Sequence, residues 1–307
     1  GWAVLFDNAL LLQTRVLALD GIMIFFMLAA ISLALLAARQ GRLRGQLLAS
    51  IGAGVCAGMA FGAKFTGLTS AAVVVLILWF APRPIPGIGR PLGMILIAGL
   101  AGIVVYLGGW VLHFILLDQP GPGDIWGRPS GVIWRDILKI HQQMFSANYG
   151  LGATHSNGSP WWAWPFSWRP IYYYARDNTA LYLVGNPVVW WGSTLGILAI
   201  LVQVLRQGLT NTHREPYALM LIPFAISYLP YMLIPRVLFL YHYLPSLVFA
   251  VMAVVLWLDR SGRLTEETRA YTWLLVLIPT GFLLISPFTF GFPLPEAVLT
   301  WMRDLVQ

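Results

Sequence analysis

Eight apolar runs divide the chain, at 20–38, 46–63, 66–81, 92–117, 185–206, 216–234, 237–258 and 271–289. A helix crossing a bilayer needs about 20 predominantly apolar residues, and most of the runs reach or approach that length. In lipid the backbone polar groups must be satisfied within the segment, so the runs read as helices. The alternation that marks barrel strands is absent. The third run, 66–81, is short and flanked by Thr and Gly. The expected fold class is all-α: a polytopic transmembrane helix bundle of about eight spans, with residues 1–307 as one transmembrane domain. Between the fourth and fifth runs lies 118–184, too long for a passive connector. It opens with the turn cluster DQPGPGD (118–124), passes through an amphipathic stretch at 131–147, and reaches the aromatic run SPWWAWPFSWRPIYYY (159–174). No repeat of 20–50 residues is evident.

Composition strengthens the membrane reading. Hydrophobic residues make up 58% of the chain and charged residues 10%, against roughly 25% charged in soluble domains. The net charge of +7 is spread over the connections rather than gathered in a patch, which excludes nucleic acid as a partner. Arg39, Arg42 and Arg44, then Arg83 and Arg90, Arg206 and Arg214, and Arg260, Arg263 and Arg269 occupy alternate connections. By the positive-inside rule these are cytoplasmic. Residues 1–19, Lys64, 118–184, Arg236 and 290–307 then face the extracytoplasmic side, a periplasm or lumen. Cys56 is the single cysteine and lies in an apolar run, so no intrachain disulfide forms. The five histidines are scattered without metal-ligand spacing, and GLGATHSNGS (150–159) does not sit between strand and helix as a dinucleotide loop would. No metal or cofactor is expected. Asn157-Gly158-Ser159 is a formal glycosylation sequon, followed by Pro160. Gly1 opens the chain in mid-pattern, which reads as a fragment or a processed segment.

Ionisable groups close to a membrane are costly and are candidate functional sites by default. Asp7, Arg15 and Asp20 fall in FDNALLLQTRVLALD (6–20). They read either as interfacial snorkelling, with Arg15 paired to an acid, or as part of a site on the face that carries the long loop. Lys64 reads equally as a snorkelling residue at a helix end or as a phosphate ligand. Arg236 and His242, in PRVLFLYHYLP (235–245), head a span. His242, between Tyr241 and Tyr243, is either a hydrogen-bonded bundle residue or, with Arg236, a grip for an anionic headgroup. Trp161, Trp162, Trp164 and Trp168 fit an interfacial aromatic belt. The bracketing pairs Ser159-Pro160 and Arg169-Pro170 point instead to a fixed loop over a site, with aromatic faces suited to sugar rings and polyprenyl chains.

Five strings together carry a resemblance: FDNALLLQTRVLALDGIMIFF (6–26), GMAFGAKFTGL (58–68), HSNGSPWWAWPFSWRPIYYY (155–174), GNPVVWWG (185–192) and RVLFLYHYLPSL (236–247). In order and over essentially the whole chain, they resemble the protein O-mannosyltransferases, the dolichyl-phosphate-mannose-protein mannosyltransferase family, in a bacterial form without a β-trefoil insertion in the long loop. The resemblance implies the fold of integral-membrane, lipid-sugar-dependent glycosyltransferases, with these helices as the latter part of a larger bundle. It implies mannose on a polyprenyl phosphate as donor substrate, and a Ser or Thr hydroxyl of a translocating protein, met at the translocon, as acceptor. A carboxylate would take the hydroxyl proton as the anomeric carbon inverts, and preorganised cations would receive the leaving phosphate. No position matches the family's catalytic acidic motif, so no catalytic residue is assigned. Arg15 matches the family arginine of the Q-x-R-x-x-x-LD stretch and is the first donor-phosphate candidate, with Lys64, Arg236 and His242 next. Asp7, Asn8, Gln13, Asp20, Tyr241 and Tyr243 are expected to support them. His155, Ser159, Trp161, Trp162, Trp164 and Arg169 are expected to shape the acceptor side. The location implied is the inner, or plasma, membrane with an extracytoplasmic active face. The competing readings are a related glycosyltransferase acting on lipid A or a cell-wall glycan, a lipid-sugar flippase, and a chain without activity by itself. A flippase would show mid-membrane charges in broken helices of paired inverted halves; here the charges lie at one face.

Overall fold

The computed structural model describes residues 1–16, 18–80, 89–117, 119, 127, 129–150, 152, 154–208 and 215–306. The turn cluster 118–124 apart from Gln119, as well as Arg83 and Arg214, lies outside them. The chain divides into two compact units, Leu19–Leu151 and Gly1–Ala18 with Gly152–Gln307.

In the unit Leu19–Leu151, helices α3 (Leu19–Arg39), α4 (Leu43–Ala63), α5 (Leu68–Phe80) and α6 (Gly89–Leu116) pack on one another. Their contact surface is built from small residues: Ala30, Ala34 and Ala37 of α3 meet Ala49, Ala53 and Ala57 of α4, with Val74, Leu78, Met94 and Ala98 completing the cluster. Lipid is as apolar as leucine, so helices in it associate by close van der Waals contact, and small residues permit that contact. Gly54 shows how close it is. A Cβ there would lie 2.0 Å from the Ala98 carbonyl oxygen of α6. A 3-10 turn, Phe65–Gly67, joins α4 to α5. The amphipathic stretch expected at 131–147 forms α7, Ile133–Gly150. Asp136 in its first turn accepts the Ser130 N–H at 2.9 Å, the helix-start chemistry expected of an acid there. The His141 Nε2 of α7 lies 2.6 Å from the Tyr106 hydroxyl of α6.

In the other unit, two short helices, α1 (Trp2–Leu5) and α2 (Asn8–Arg15), precede a 3-10 turn at Trp161–Phe166 and a hairpin, β1 (Ile171–Arg176) with β2 (Thr179–Leu183). Then follow α8 (Pro187–Gln207), α9 (Pro216–Leu219), α10 (Leu221–Tyr228), α11 (Leu244–Arg260), α12 (Arg269–Phe290) and α13 (Glu296–Val306). Ile197, Ile200 and Val204 of α8 pack with Tyr217, Ala250 and Ala253. The hairpin seats Ala180 and Tyr182 against Phe288, Leu299 and Met302 of α12 and α13.

Among the described residues seven helical segments, the broken Pro216–Leu233 counted as one, are long and apolar enough to cross a membrane, and the eighth expected span, Phe65–Phe80, is apolar but shorter. The protein is a multi-span membrane protein with a mostly helical fold. Three features depart from or add to the sequence reading. The 216–234 run is not one helix: α9 and α10 give way to a 3-10 segment, Leu229–Leu233, because Pro223 and Pro230 interrupt the bonding ladder. The aromatic run ends in a two-stranded antiparallel hairpin, a small addition to the helical bundle. The C-terminal tail, to which the sequence assigned a side and no element, forms the amphipathic helix α13.

Candidate functional site

At one end of the Gly1–Ala18 and Gly152–Gln307 unit, the segments assigned to the extracytoplasmic face converge. Asp7 caps α2, its Oδ1 accepting the Leu10 N–H at 2.9 Å. Its Oδ2 accepts the Asn186 N–H at 3.2 Å and the Trp190 indole N–H at 2.8 Å. Burial pushes the Asp7 carboxyl up to about 6, and the hydrogen bonds from Leu10, Asn186 and Trp190 oppose that rise. Asn186 caps α8 in turn, accepting the Val188 N–H at 3.0 Å, while its amide donates to the carbonyls of Phe6 (2.7 Å) and Ile278 (2.8 Å). Asn8 donates to the Thr289 hydroxyl at 2.8 Å. The Tyr173 hydroxyl donates to Gln13 Oε1, which the bulge between Tyr172 and Tyr174 permits by breaking the strand alternation.

This network decides between roles for the residues of 6–20. Asp7 is fully buried and its oxygens already receive three N–H donors, the arrangement of a structural acceptor. Arg15, at the other end of α2, is exposed, with its guanidinium carbon 5.0 Å from the Phe290 ring centroid. The snorkelling reading paired it with an acid. Among the described residues, no carboxylate lies within 4.0 Å of Arg15, and its charge is oriented by an aromatic face.

The aromatic run splits residue by residue. Trp164 is fully buried, donating from its indole to the Ser159 hydroxyl at 2.9 Å and stacking on His242 at 5.9 Å between centroids. Trp162 and Trp168 are exposed, as a belt requires. Trp161 packs edge-on to Tyr228, whose hydroxyl donates to the Trp161 carbonyl at 2.9 Å. The loop is tied to α8: the Trp191 indole donates to the Phe166 carbonyl at 2.8 Å and the Thr194 hydroxyl to the Pro165 carbonyl at 2.7 Å. Ser167 and Arg169 take left-handed backbone, φ 53° and 61°, a strain that persists only where the surroundings fix it. Arg169 is half-buried. His155 is exposed, and its Nδ1 accepts the Asn157 N–H at 3.1 Å. Asn157 itself is buried, donating to the Tyr172 carbonyl at 3.2 Å, so the sequon is closed off within the fold.

His242 is buried, with Nδ1 folded back on the Phe239 backbone, 3.1 Å from its nitrogen and 2.9 Å from its oxygen. Tyr241 stacks on it at 4.6 Å. Tyr243 joins the two networks, 5.3 Å from the Trp190 ring and 5.4 Å from Tyr228. Arg236 is half-buried at the corner before this turn, and its Nε has no hydrogen-bond partner. Lys64 and Asp20 belong to the other unit and pair with each other, Nζ to Oδ1 at 2.7 Å. That pair explains a lysine where the positive-inside rule disfavours one.

Sequence reasoning missed the role of Asn186, although Asn before Pro187 and an apolar run is a helix-start signal. Trp190 and Thr289 carried no local signal, because their partners lie far away in sequence.

A strapped aromatic loop and a buried polar network at the helix ends give the Gly1–Ala18 and Gly152–Gln307 unit of this multi-span membrane protein an organised site. Residues 133–305 match the family described as the C-terminal four TMM region of protein-O-mannosyltransferase, and residues 2–114 match dolichyl-phosphate-mannose-protein mannosyltransferase. The chain belongs to the protein O-mannosyltransferase family. Dolichyl-phosphate-mannose--protein mannosyltransferase 1 of Candida albicans is 30% identical over 54% of this chain and 21% of its own length. The Saccharomyces cerevisiae protein of the same name is 28% identical over 59% of this chain and 23% of its length. Polyprenol-phosphate-mannose--protein mannosyltransferase of Mycobacterium tuberculosis is 25% identical over 99% of this chain and 69% of its length. The chain therefore spans only about a fifth to a quarter of the two yeast relatives. The fold is similar to that of the S. cerevisiae protein O-mannosyltransferase Pmt1-Pmt2 complex bound to the sugar donor, with a TM-score of 0.79 at 14% identity, over 98% of this chain and 75% of that one.

Proposed function

We propose that the protein takes part in moving mannose from polyprenyl-phosphate-mannose to Ser or Thr hydroxyls of proteins at the extracytoplasmic face of the membrane. The family match over 133–305 carries the reading, and the names of relatives supply the donor and acceptor classes. Transfer makes a lipid phosphate the leaving group, so the site needs a fixed cation to receive negative charge. Arg15 is that cation: it is exposed at the end of α2, held over Phe290, and carries a planar fork suited to phosphate. Arg236, with its unpartnered Nε, is the second. His242, Trp164 and Ser159 position the loop rather than touch the donor, since all three are buried in one network. The exposed Trp162, with half-buried Arg169, forms the acceptor side. Incubating membranes that carry the protein with labelled polyprenyl-phosphate-mannose and a Ser/Thr peptide tests this. Label on the peptide supports the reading; label only in lipid or glycan overturns it.

A further inference from the structure

Helix α8 begins at the Asp7 network and runs for about 30 Å along its axis, and a second polar centre lies around Gln203 in its last turns. Gln203 accepts the Trp257 indole N–H at 2.7 Å and donates to the Tyr217 hydroxyl at 3.1 Å, tying the end of α8 to α9 and α11. Beside it opens a cavity of about 400 Å³ bounded by Glu215, Tyr217, Trp257, Arg260 and Arg263. Gln203 also borders a second depression of about 510 Å³ along the outside of α8, past Leu198, Val202 and Arg206. An apolar lane on the outward face of a spanning helix thus leads into a polar cup with arginines at its rim.

The charges of the cup are incompletely used. The Arg260 Nε stands 3.6 Å from Glu215 Oε2, too long for a hydrogen bond. The Arg263 guanidinium lies over the Trp257 ring at 5.6 Å. Among the described residues, neither Arg206 nor Arg263 has a carboxylate within 4.0 Å. Trp257 and Tyr217 are the amphipathic rings favoured at headgroup depth, and basic pockets between spanning helices suit anionic headgroups.

We infer that this depression binds the phosphodiester of an anionic phospholipid, with Arg263 and the outer edge of Arg260 on the phosphate and one acyl chain along Leu198 and Val202. Glu215 faces the cup as the opposing charge, 3.6 Å from Arg260 and without an ion pair to Arg263 among the described residues. The lane distinguishes a lipid from free phosphate, which would use the cup alone. The inference is independent of the proposed mannose transfer, since none of these residues belongs to that site.

Native mass spectrometry of the detergent-solubilised full chain tests it, with phosphatidylglycerol, phosphatidylcholine and inorganic phosphate as probes. The wild type is expected to retain phosphatidylglycerol in preference to phosphatidylcholine. The double variant Arg260→Gln/Arg263→Gln is expected to lose that preference by about tenfold, while Arg44→Gln, a charge removed from the other unit, leaves it intact. Val202→Asp, which leaves the cup untouched, is expected to weaken retention as well. Equal retention of the two lipids, an equal loss in Arg44→Gln, or displacement of the lipid by inorganic phosphate would overturn the inference. A thermal midpoint unchanged in each variant separates lost binding from lost folding.

Discussion

Asp7 and Arg15 occupy the two ends of one short helix, and burial gives them opposite tasks. Asp7 is enclosed and bonded, so removing it is a stability experiment. An aspartate titrates near 3.8 when exposed and near 6 in this fold. Between those values the folded state holds a proton that the unfolded state has released. Stability therefore falls as pH rises through that window and levels off above about 6. Asp7→Asn should abolish this slope, and it should cost about 2 kcal/mol or more by leaving a buried N–H donor without an acceptor. Thermal unfolding in detergent from about pH 4 to pH 7 reads both effects, and an unchanged slope in the variant contradicts the assignment. Arg15 is exposed, so its loss should spare stability and act on the donor. Arg15→Gln is expected to lower kcat/KM for the lipid donor by about 10²–10³-fold, with Arg15→Lys keeping part of the activity but not the bidentate geometry. Donor titrations at matched thermal midpoint check this, and equal kinetics in all three proteins would remove Arg15 from the site.

At the scale of elements, the spans were legible because apolar length is a direct demand of the bilayer, and α7 because its polar face recurs at helical spacing. Arg15 was legible as a candidate because a charge beside a membrane is expensive. The hairpin was not legible, because Asp177-Asn178 lacks the glycine of the usual two-residue hairpin turns and TALYL (179–183) holds a single β-branched residue. The breaks within 216–243 were hidden because an apolar run hides its own 3-10 segments; only the prolines marked them. The division of the tryptophans was not available from sequence at all. Trp164 and Trp162 differ only in what lies across from them, His242 and Ser159 against open surface. The small-residue surface between α4 and α6 has its own test. Gly54→Leu places a side chain where even a Cβ would stand 2.0 Å from the Ala98 carbonyl, so the helices must separate. A loss of at least about 2 kcal/mol is expected, read as a lowered thermal midpoint or as failure to accumulate in membranes. An unchanged midpoint would mean that this contact does not hold the unit together.

For the molecule as a whole, the two ends of the Gly1–Ala18 and Gly152–Gln307 unit carry different chemistry. One end gathers the α2 helix, the aromatic loop, the hairpin and the C-terminal helix around a buried polar network. The other gathers arginines and interfacial rings around Gln203. That asymmetry agrees with the positive-inside assignment, under which the proposed transfer is expected at the end that carries the network. The most direct measurement uses sealed vesicles of known orientation with labelled polyprenyl-phosphate-mannose in their membrane and a Ser/Thr peptide added outside. Right-side-out vesicles should label the peptide, and inverted vesicles should do so only after permeabilisation. Labelling by intact inverted vesicles, or none on the peptide in either orientation, would contradict the account.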